Sequence, residues 1–246
     1  MKKLFLLLSG GLSVFGLYAQ RVPEKPVVVL GFDDAESSHY TVVAPLLQQY
    51  HFNATFFVCE FPRKLPADSV HFLSWTQIKE LHDMGFEIGN HTGHHKNVTT
   101  LSREQVQAEV SFVEEKCKAY NIPKPVSFAY PGNRADSAAQ VRLQEMGYRF
   151  ARAGGSTYYC PSEQPRLCIP SYTMGSGEKL MARTWKALQE LKAGQILVFT
   201  IHGVPDILHP DYTTTPEVLE EYFEYMKEHN FEVIAMRDLD KYISVN

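Results

Sequence analysis

The feature that most constrains the fold of this chain is an alternation of short apolar runs with amphipathic stretches along nearly its whole length. The apolar runs are rich in β-branched and aromatic residues and have the length of strands, whereas the stretches between them have the apolar spacing of helices. Strands that alternate with helices predict a parallel sheet with crossover helices. Strands are expected over residues 27–32, 54–59, 87–90, 126–130, 148–152, 195–201 and 231–236.

Helices are predicted between these strands. Ser74 with Gln77, and Ser102 with Gln105, have the spacing of capping boxes, which open helices. Residues 153–177, rich in Gly, Ser, Pro and Tyr, are predicted to form a long loop of the kind that lines a site. One apolar face of the helix after Ser102 is composed of Val106, Val110, Val113, Cys117 and Tyr120. Further helices are expected over 39–50, 136–146, 179–192 and 215–229.

The number of strand and helix pairs decides between two α/β architectures. About seven pairs are enough to close a parallel barrel. An open doubly wound sheet is the alternative, but no glycine-rich phosphate-binding loop follows the first strand. A length of 246 residues with 44% hydrophobic content suits a single domain with its own core.

The first residues have the pattern of a secretory signal. Lys2 and Lys3 precede an apolar run that is too short to span a bilayer, and Ala19 is a small residue at the expected cleavage point. We therefore expect a signal peptide over residues 1–20 and a catalytic domain over 21–246. The mature protein is expected to be exported to the periplasm or the extracellular space, with no stable membrane insertion after cleavage.

Charge and cysteine content exclude some classes of partner. The net charge is −4 and lysine and arginine form no cluster, so nucleic acid is not an expected partner. Cys160 and Cys168 flank a short loop containing proline, where a disulfide in an exported protein is one possibility and two free thiols the other. Cys59 and Cys117 lie in apolar stretches and are expected to be buried thiols rather than metal ligands.

Three histidines lie within five residues in His91-Thr92-Gly93-His94-His95. His91 and His95 are four residues apart, so a helical turn or a tight loop brings both rings to one side, as a divalent cation requires. The paired carboxylates of Asp33-Asp34 follow another predicted strand and could offset the charge of the ion. The sequence thus indicates a metal site of two histidines and an aspartate. A solvated histidine-rich loop is the alternative.

Chemically suggestive residues share one kind of position. Asp33-Asp34, His91 to His95, Tyr130-Pro131-Gly132 and His202 each follow the carboxyl end of a predicted strand. In parallel barrels this end of the strands carries the active site. Scattered polar residues would have no such preference, so the coincidence favours catalysis.

With these motifs the chain resembles the polysaccharide deacetylases of carbohydrate esterase family 4, over essentially all of residues 21–246. Gly31-Phe32-Asp33-Asp34 resembles the first motif of that family, and His91-Thr92-Gly93-His94-His95 resembles the second. Ile201-His202 resembles the late motif, in which a hydrophobic strand ends in a catalytic histidine. The resemblance implies a single domain with the fold of a distorted (β/α)7 barrel, and an acetylated carbohydrate as substrate.

The resemblance also implies a role for each matching residue. Asp33 corresponds to the catalytic base and His202 to the general acid. The backbone N–H of Tyr130 is the implied oxyanion donor. The implied metal ligands are Asp34, His91 and His95, with His94 outside the ligand set.

One departure from the family concerns the arginine that holds the base aspartate. In much of the family it stands two residues before the proline of the third motif, where this chain has Ala129. Arg152, at the end of the next predicted strand, is the best-placed substitute, with an ordinary surface arginine as the alternative reading. Arg134 is the next candidate.

A second departure concerns the wall of the acetyl pocket. The chain has no match to the Asp-Trp motif that forms this wall in the family. Tyr158 and Tyr159, in the long predicted loop, are the aromatic residues that could replace it. This departure bears on the substrate more than on the chemistry.

The predicted roles form a coherent hydrolytic mechanism. A divalent ion, most naturally Zn²⁺, held by Asp34, His91 and His95 would keep positions open for water and a substrate carbonyl, and would lower the pKa of the water. Asp33 would take the proton of the water and His202 would protonate the leaving nitrogen. As neighbours on an extended backbone, the two aspartates are expected to point to different sides and so to take different roles.

Three functions agree with these residues. The first is a metal-dependent N-deacetylase of a carbohydrate polymer or oligomer. The second is an esterase that removes O-acetyl groups from a xylan-like glycan. The third, a catalytically inactive glycan-binding protein, would be expected to lack part of the metal triad or the acid or base, and all five residues are present. The sequence does not identify the glycan.

Overall fold

The fold is described from a computed structural model, which covers residues 23–61 and 70–243. The predicted signal peptide lies outside these residues. Eight parallel strands form one sheet in the order β5-β4-β3-β2-β1-β7-β6, with β8 also on β1. The strands are β1 (Val27–Phe32), β2 (Thr55–Val58), β3 (Glu87–Asn90), β4 (Ser127–Ala129), β5 (Phe150–Arg152), β6 (Tyr172–Thr173), β7 (Ile196–Ile201) and β8 (Glu232–Ile234).

The central strand β1 explains why the barrel is distorted. One edge of β1 pairs with β7 along its whole length. Its other edge is divided, because β8 pairs with Val27–Val29 and β2 pairs with Gly31 and Phe32. At the other end of the sheet, Ile169 exchanges backbone hydrogen bonds with the chain around β5. The strand that follows, β6, pairs with β7, so this segment connects β5 with β7. The predicted distorted (β/α)7 barrel of a single domain is confirmed, and the two-residue β6 is a strand additional to the seven predicted.

The helices follow the predicted pattern. Ser74 and Ser102 each form a complete capping box with the glutamine three residues later, as predicted. A short π-helix, His39–Val43, leads directly into the first α-helix. The helices are α1 (Ala44–Tyr50), α2 (Trp75–Asp83), α3 (Arg103–Ala119), α4 (Ser137–Glu145), α5 (Glu178–Gln189) and α6 (Pro216–Glu228).

Side chains alternate between two cores along the strands. Val28 and Leu30 of β1 pack outward with the apolar faces of the helices. Val27 and Val29 belong to a separate inner cluster, which contains Phe57 and is continued by the short helix after β8. Because successive side chains on a strand point to opposite faces, the register of the strands determines which side chains enter each of the two cores.

Phe57 fills the interior of the barrel because two neighbouring strand positions are glycine. A Cβ atom at Gly89 would lie 2.4 Å from the Phe57 ring, and one at Gly31 would lie 3.0 Å from it. The Phe57 ring lies beneath Arg152, whose guanidinium carbon is 5.5 Å from the ring centroid. The packed interior therefore forms a floor for the carboxyl end of the barrel.

This packing predicts that Gly89→Ala destabilises the protein by about 1–3 kcal/mol, because the added methyl group overpacks a filled interior. Gly31→Ala is the matched control, since it makes the same change on a strand with a looser contact to the same ring, and its effect should be smaller. Denaturant unfolding measures both. Equal stability of the two variants would contradict this account of the interior.

Several sequence predictions need correction. Residues 153–177 are not wholly a loop, because they include β6. Of the two alternatives left open for Cys160 and Cys168, the structure has the two free thiols. Tyr120 is 38% exposed, so the buried face of α3 ends at Cys117.

Within the described residues, no helix is both long and apolar enough to cross a membrane.

Candidate active site

The carboxyl ends of the strands bring the predicted site residues to the rim of one pocket. It is lined by residues from the ends of β1, β3, β4, β6 and β7, together with neighbouring loops: Asp33, Asp34, Phe61, His91, His95, Tyr130, Gly132, Asn133, Thr173, His202, His209 and Tyr212. The structure thus brings Asp33, Asp34, His91, His95 and His202 together, as the sequence predicted. Tyr130 also lines the pocket.

The histidine loop is held by its own polar groups. The Asn90 side chain accepts a hydrogen bond from the backbone N–H of Thr92 (2.9 Å), and the Thr92 hydroxyl accepts one from the N–H of Lys96 (2.9 Å). Thr92 and His95 have positive φ angles of 63° and 52°, which are uncommon for residues other than glycine. This turn brings the rings of His91 and His95 to a centroid separation of 4.9 Å. Strained backbone of this kind is concentrated at functional sites.

His94 lies on the other side of this loop. Its backbone N–H donates to Oε2 of Glu109 (2.8 Å), and its ring packs against Phe112 on α3. The side chain is outside the cluster formed by Asp34, His91 and His95. The geometry agrees with the prediction that His94 is not a ligand.

Asp34, His91 and His95 form a cluster with the composition of a metal site. One ligand atom from each lies within 4.8 Å of the others, and Oδ1 of Asp34 is 3.5 Å from Nε2 of both histidines. Nδ1 of His91 lies 2.7 Å from the carbonyl oxygen of Ala129. Burial lowers the pKa of His91 to about 3, so the ring is neutral and donates its Nδ1 proton to that carbonyl. Nε2 of His91 then carries the lone pair that a metal ligand needs.

The electrostatics of the aspartate pair also fit a cation. Burial and the neighbouring charge of Asp33 raise the pKa of Asp34 to about 6. A divalent ion would relieve both effects, because it offsets the negative charge of the pair. The residues present therefore fit a divalent metal, and zinc is bound well by nitrogen and oxygen ligands of this kind.

Arg152 pairs with Asp33. Its Nη2 donates to Oδ2 of Asp33 at 2.5 Å, and the arginine side chain is completely buried. Burial alone would raise the pKa of Asp33, but the charge of Arg152 holds this pKa below its usual value. Oδ1 of Asp33 is buried and has no hydrogen-bond partner in the described part of the chain. The carboxylate is thus ionised, with one oxygen anchored and the other available.

Strand register explains how Arg152 reaches this position. Ala129 on β4 and Arg152 on β5 are direct partners across the parallel ladder. The arginine therefore starts from the neighbouring strand at the level of Ala129. Its Nη1 also donates to Oδ1 of Asn133 (2.7 Å) and to the Thr200 hydroxyl. The alternative reading of a surface arginine is wrong, and Arg134 is exposed.

The two aspartates differ from the prediction in their backbone. Asp34 has a φ of 72°, so the pair does not lie on an extended backbone. Both carboxylates face the same pocket instead of opposite sides. The two carboxylates differ in their contacts instead: Asp33 pairs with Arg152, whereas Asp34 lies beside the histidines.

His202 lines the pocket and extends from the end of β7. Its Nε2 is 3.8 Å from Oδ2 of Asp34, and its ring packs against Tyr212 with centroids 5.5 Å apart. Nδ1 of His202 is buried and has no hydrogen-bond partner among residues 23–61 and 70–243. The backbone is held by His39, whose Nε2 lies 3.1 Å from the carbonyl oxygen of His202.

The predicted role of Tyr130 is contradicted by the structure. Its backbone N–H donates to the carbonyl oxygen of Arg152 at 3.0 Å, because pairing of the chain with β5 continues past the end of β4. The group is therefore not free to act as an oxyanion donor. The Tyr130 hydroxyl donates to the carbonyl oxygen of Leu167 (2.9 Å), and the side chain is buried in a core.

Tyr158 and Tyr159 do not form the pocket wall. Tyr159 is fully buried in the inner core, and the Tyr158 hydroxyl donates to the carbonyl oxygen of Ala187 on α5. Besides Tyr130, the aromatic residues that line the pocket are Phe61 and Tyr212. Sequence reasoning missed both, since neither directly follows a strand.

Comparison with known proteins agrees with this geometry. The site is a carboxylate and histidine centre at the carboxyl end of a parallel barrel. A family model described as polysaccharide deacetylase matches residues 20–151, more than half of the chain. The chain belongs to the polysaccharide deacetylase family, carbohydrate esterase family 4, as the sequence motifs predicted.

Two relatives from Bacillus illustrate the similarity. The chain is 30% identical over 147 residues to the peptidoglycan-N-acetylglucosamine deacetylase of Bacillus cereus, covering 58% of this chain and 64% of the relative. It is 33% identical over 101 residues to the peptidoglycan-N-acetylmuramic acid deacetylase PdaA of Bacillus subtilis, covering 40% and 35%. The chain spans from half to just under two thirds of the length of the first curated relatives it matches.

Solved structures share the fold. The Bc1960 peptidoglycan N-acetylglucosamine deacetylase is similar with a TM-score of 0.65 and 14% identity, over 92% of each chain. The T48 deacetylase is similar with a TM-score of 0.63 and 20% identity, over 90% of this chain and 94% of that one. At these identities the likeness establishes the barrel alone.

Proposed function

We propose that this protein is a metal-dependent hydrolase that removes N-acetyl groups from a carbohydrate polymer or oligomer. The observation that carries the proposal is the arrangement around Asp33. One oxygen of Asp33 is anchored by Arg152 and the other is free, beside the cluster of Asp34, His91 and His95. A base, a ligand set for a Lewis acid and an imidazole then surround one pocket.

Each residue has a defined task in this proposal. When bound, a divalent ion held by Asp34, His91 and His95 would polarise the acetyl carbonyl and favour deprotonation of water. Asp33 accepts the proton of the attacking water at Oδ1, while Arg152 keeps the carboxylate ionised and oriented. His202, at the end of β7, donates a proton to the leaving nitrogen.

Gly132 is the proposed source of oxyanion stabilisation in place of Tyr130. It lines the pocket and lies in the first turn of the short helix Pro131–Asn133, where N–H groups have no partner within the helix. Its φ of 64° belongs to a conformation that glycine adopts without strain. A backbone N–H in this position is suited to the charge that develops on a carbonyl oxygen.

The proposed substrate class is an N-acetylated amino sugar. Relatives named as deacetylases of peptidoglycan and of chitin support this class. Tyr212, 51% exposed at the rim of the pocket, offers an aromatic surface on which a sugar ring can pack. The first residues have the pattern of a secretory signal, which supports export to the compartments in which such polymers are found.

Acetate release tests the reaction. The purified protein, supplied with Zn²⁺, should release acetate from N-acetylglucosamine oligomers or from peptidoglycan, with acetylated xylan as the comparison substrate. Asp33→Asn is the control that keeps the metal cluster and removes the base. Release from xylan alone would indicate the esterase, and release from none of the three would favour a glycan-binding protein.

Metal content tests the ligand set directly. His91→Ala and His95→Ala should each lose the one ion held by this cluster, because each removes one of three ligands. His94→Ala is the matched control and should retain it, since His94 faces Glu109 instead. Elemental analysis of the purified variants gives the answer. Full metal content in both ligand variants would remove the basis of the proposed mechanism.

A further inference from the structure

A second group of ligand-type side chains lies beside the pocket. Glu36 follows β1 and the aspartate pair, while Asp206 and His209 belong to the loop after β7. One carboxylate oxygen of Glu36, one of Asp206 and one ring nitrogen of His209 lie within 4.8 Å of one another. None of the three belongs to the cluster of Asp34, His91 and His95. Two distant parts of the sequence thus converge on one point.

The two carboxylates of this group are buried, and one of them, Asp206, meets the ring of His209, whose Nδ1 lies 3.2 Å from Oδ2 of Asp206. Glu36 is 4% exposed and Asp206 is 2% exposed. Oε1 of Glu36 is buried and forms no hydrogen bond within residues 23–61 and 70–243, and over the same residues neither carboxylate is paired with a lysine or an arginine. Two carboxylates this close together and this buried are both ionised only where a cation offsets their charge.

The surrounding backbone holds this arrangement in place. The N–H of His209 donates to Oδ1 of Asp206 (2.8 Å), and the N–H of Asp206 donates to the Thr213 hydroxyl (2.8 Å). On the other side, the residues next to Glu36 are fixed by hydrogen bonds with residues 71 and 73. The three side chains are therefore preorganised by contacts that do not depend on an ion.

We infer that Glu36, Asp206 and His209 bind a second divalent cation, adjacent to the site formed by Asp34, His91 and His95. Two carboxylates and one imidazole suit Zn²⁺ or Mn²⁺. The ion would tie the loop after β7 to the segment after β1. That loop also carries Tyr212, which packs against His202, so the second ion would stabilise one wall of the pocket.

Stoichiometry tests this inference independently of the reaction. The protein is stripped with a chelator, equilibrated with Zn²⁺ at micromolar free concentration, dialysed and analysed for metal, and the experiment is repeated with Mn²⁺. The wild-type protein should hold two ions per chain with at least one of these metals. Glu36→Gln and Asp206→Asn should each hold one. A single ion in the wild-type protein, or two ions in both variants, would overturn the inference.

An exposed ligand provides a variant that does not disturb the core. The His209 side chain is 47% exposed, so His209→Gln should fold normally and lose the second ion. His229→Gln, another exposed histidine, is the matched control and should keep both ions. If His209→Gln retains two ions, the site is rejected even where the buried variants fail to fold.

The two sites can also be separated from each other. In a His95→Ala background the first site is disabled, yet Zn²⁺ should still raise Tm through the second site. Adding Asp206→Asn should abolish that rise. If the His95→Ala variant binds no ion and its Tm does not depend on metal, the second site is contradicted. If the same variant retains two ions, the first site is contradicted.

Discussion

Asp33→Asn should lower the rate of deacetylation by about 10² to 10⁴, the usual contribution of a general base, while metal content stays unchanged. The amide cannot accept the proton that Oδ1 of Asp33 would take, but the cluster of Asp34, His91 and His95 is left intact. Elemental analysis and initial rates on the same preparation measure both quantities.

Asp34→Asn is the matched comparison, because the same chemical change is made one residue away. It should lose the ion of the first site as well as activity, since Oδ1 of Asp34 lies 3.5 Å from Nε2 of both His91 and His95. Loss of metal from Asp33→Asn and its retention by Asp34→Asn would exchange the two roles.

Arg152→Lys should retain the metal but lose roughly tenfold or more in kcat, because a lysine cannot reproduce the planar fork of a guanidinium. Arg152 donates to Asp33, Asn133 and Thr200 from one buried position. The acid limb of the pH–rate profile should move to higher pH. The reason is that the charge of Arg152 lowers the pKa of Asp33, and weaker pairing lets the base take up its proton at a higher pH.

Arg152→Ala has a larger structural consequence. It leaves Asp33 buried without its partner, so the free energy of unfolding should fall by about 3–5 kcal/mol. Denaturant unfolding with and without metal measures this loss. Arg134→Lys is the control for the conservative variant, since Arg134 is exposed, and it should leave rate and stability unchanged.

A double variant tests whether Arg152 acts through Asp33. Once Asp33 is an asparagine, Arg152→Lys should cost little further activity, because the base that the arginine orients is gone. Fully additive losses would instead indicate that Arg152 contacts the substrate or only supports the fold.

The sequence predicted elements that are specified locally. The capping boxes at Ser74 and Ser102 place helix starts to the residue, because the two side chains and the backbone N–H groups they satisfy are within one turn. β6 was missed because two residues are too few to establish an alternating pattern. The chain around Ile169 joins β5 only through tertiary contacts, which no local pattern contains.

The site was predicted where residues follow strands and missed where loops return to it. Asp33, His91 and His202 all continue strands, so the position of the strand predicts the position of the side chain. Asn133 follows the Pro131-Gly132 turn and could have been suspected on that ground. Tyr130 was misassigned because the sequence gives no indication of how far the pairing of β4 with β5 continues.

The partnership of Ala129 and Arg152 across adjacent strands changes how inactive members of a family should be recognised. The family resemblance places an arginine at position 129, where this chain has alanine, so a comparison of that position alone would score the arginine as missing. In space the guanidinium is present, because Arg152 is the register partner of Ala129 on the neighbouring strand and its side chain reaches Asp33. A search of related sequences for lost activity should therefore compare positions 129 and 152 together before a chain is classed as a pseudoenzyme.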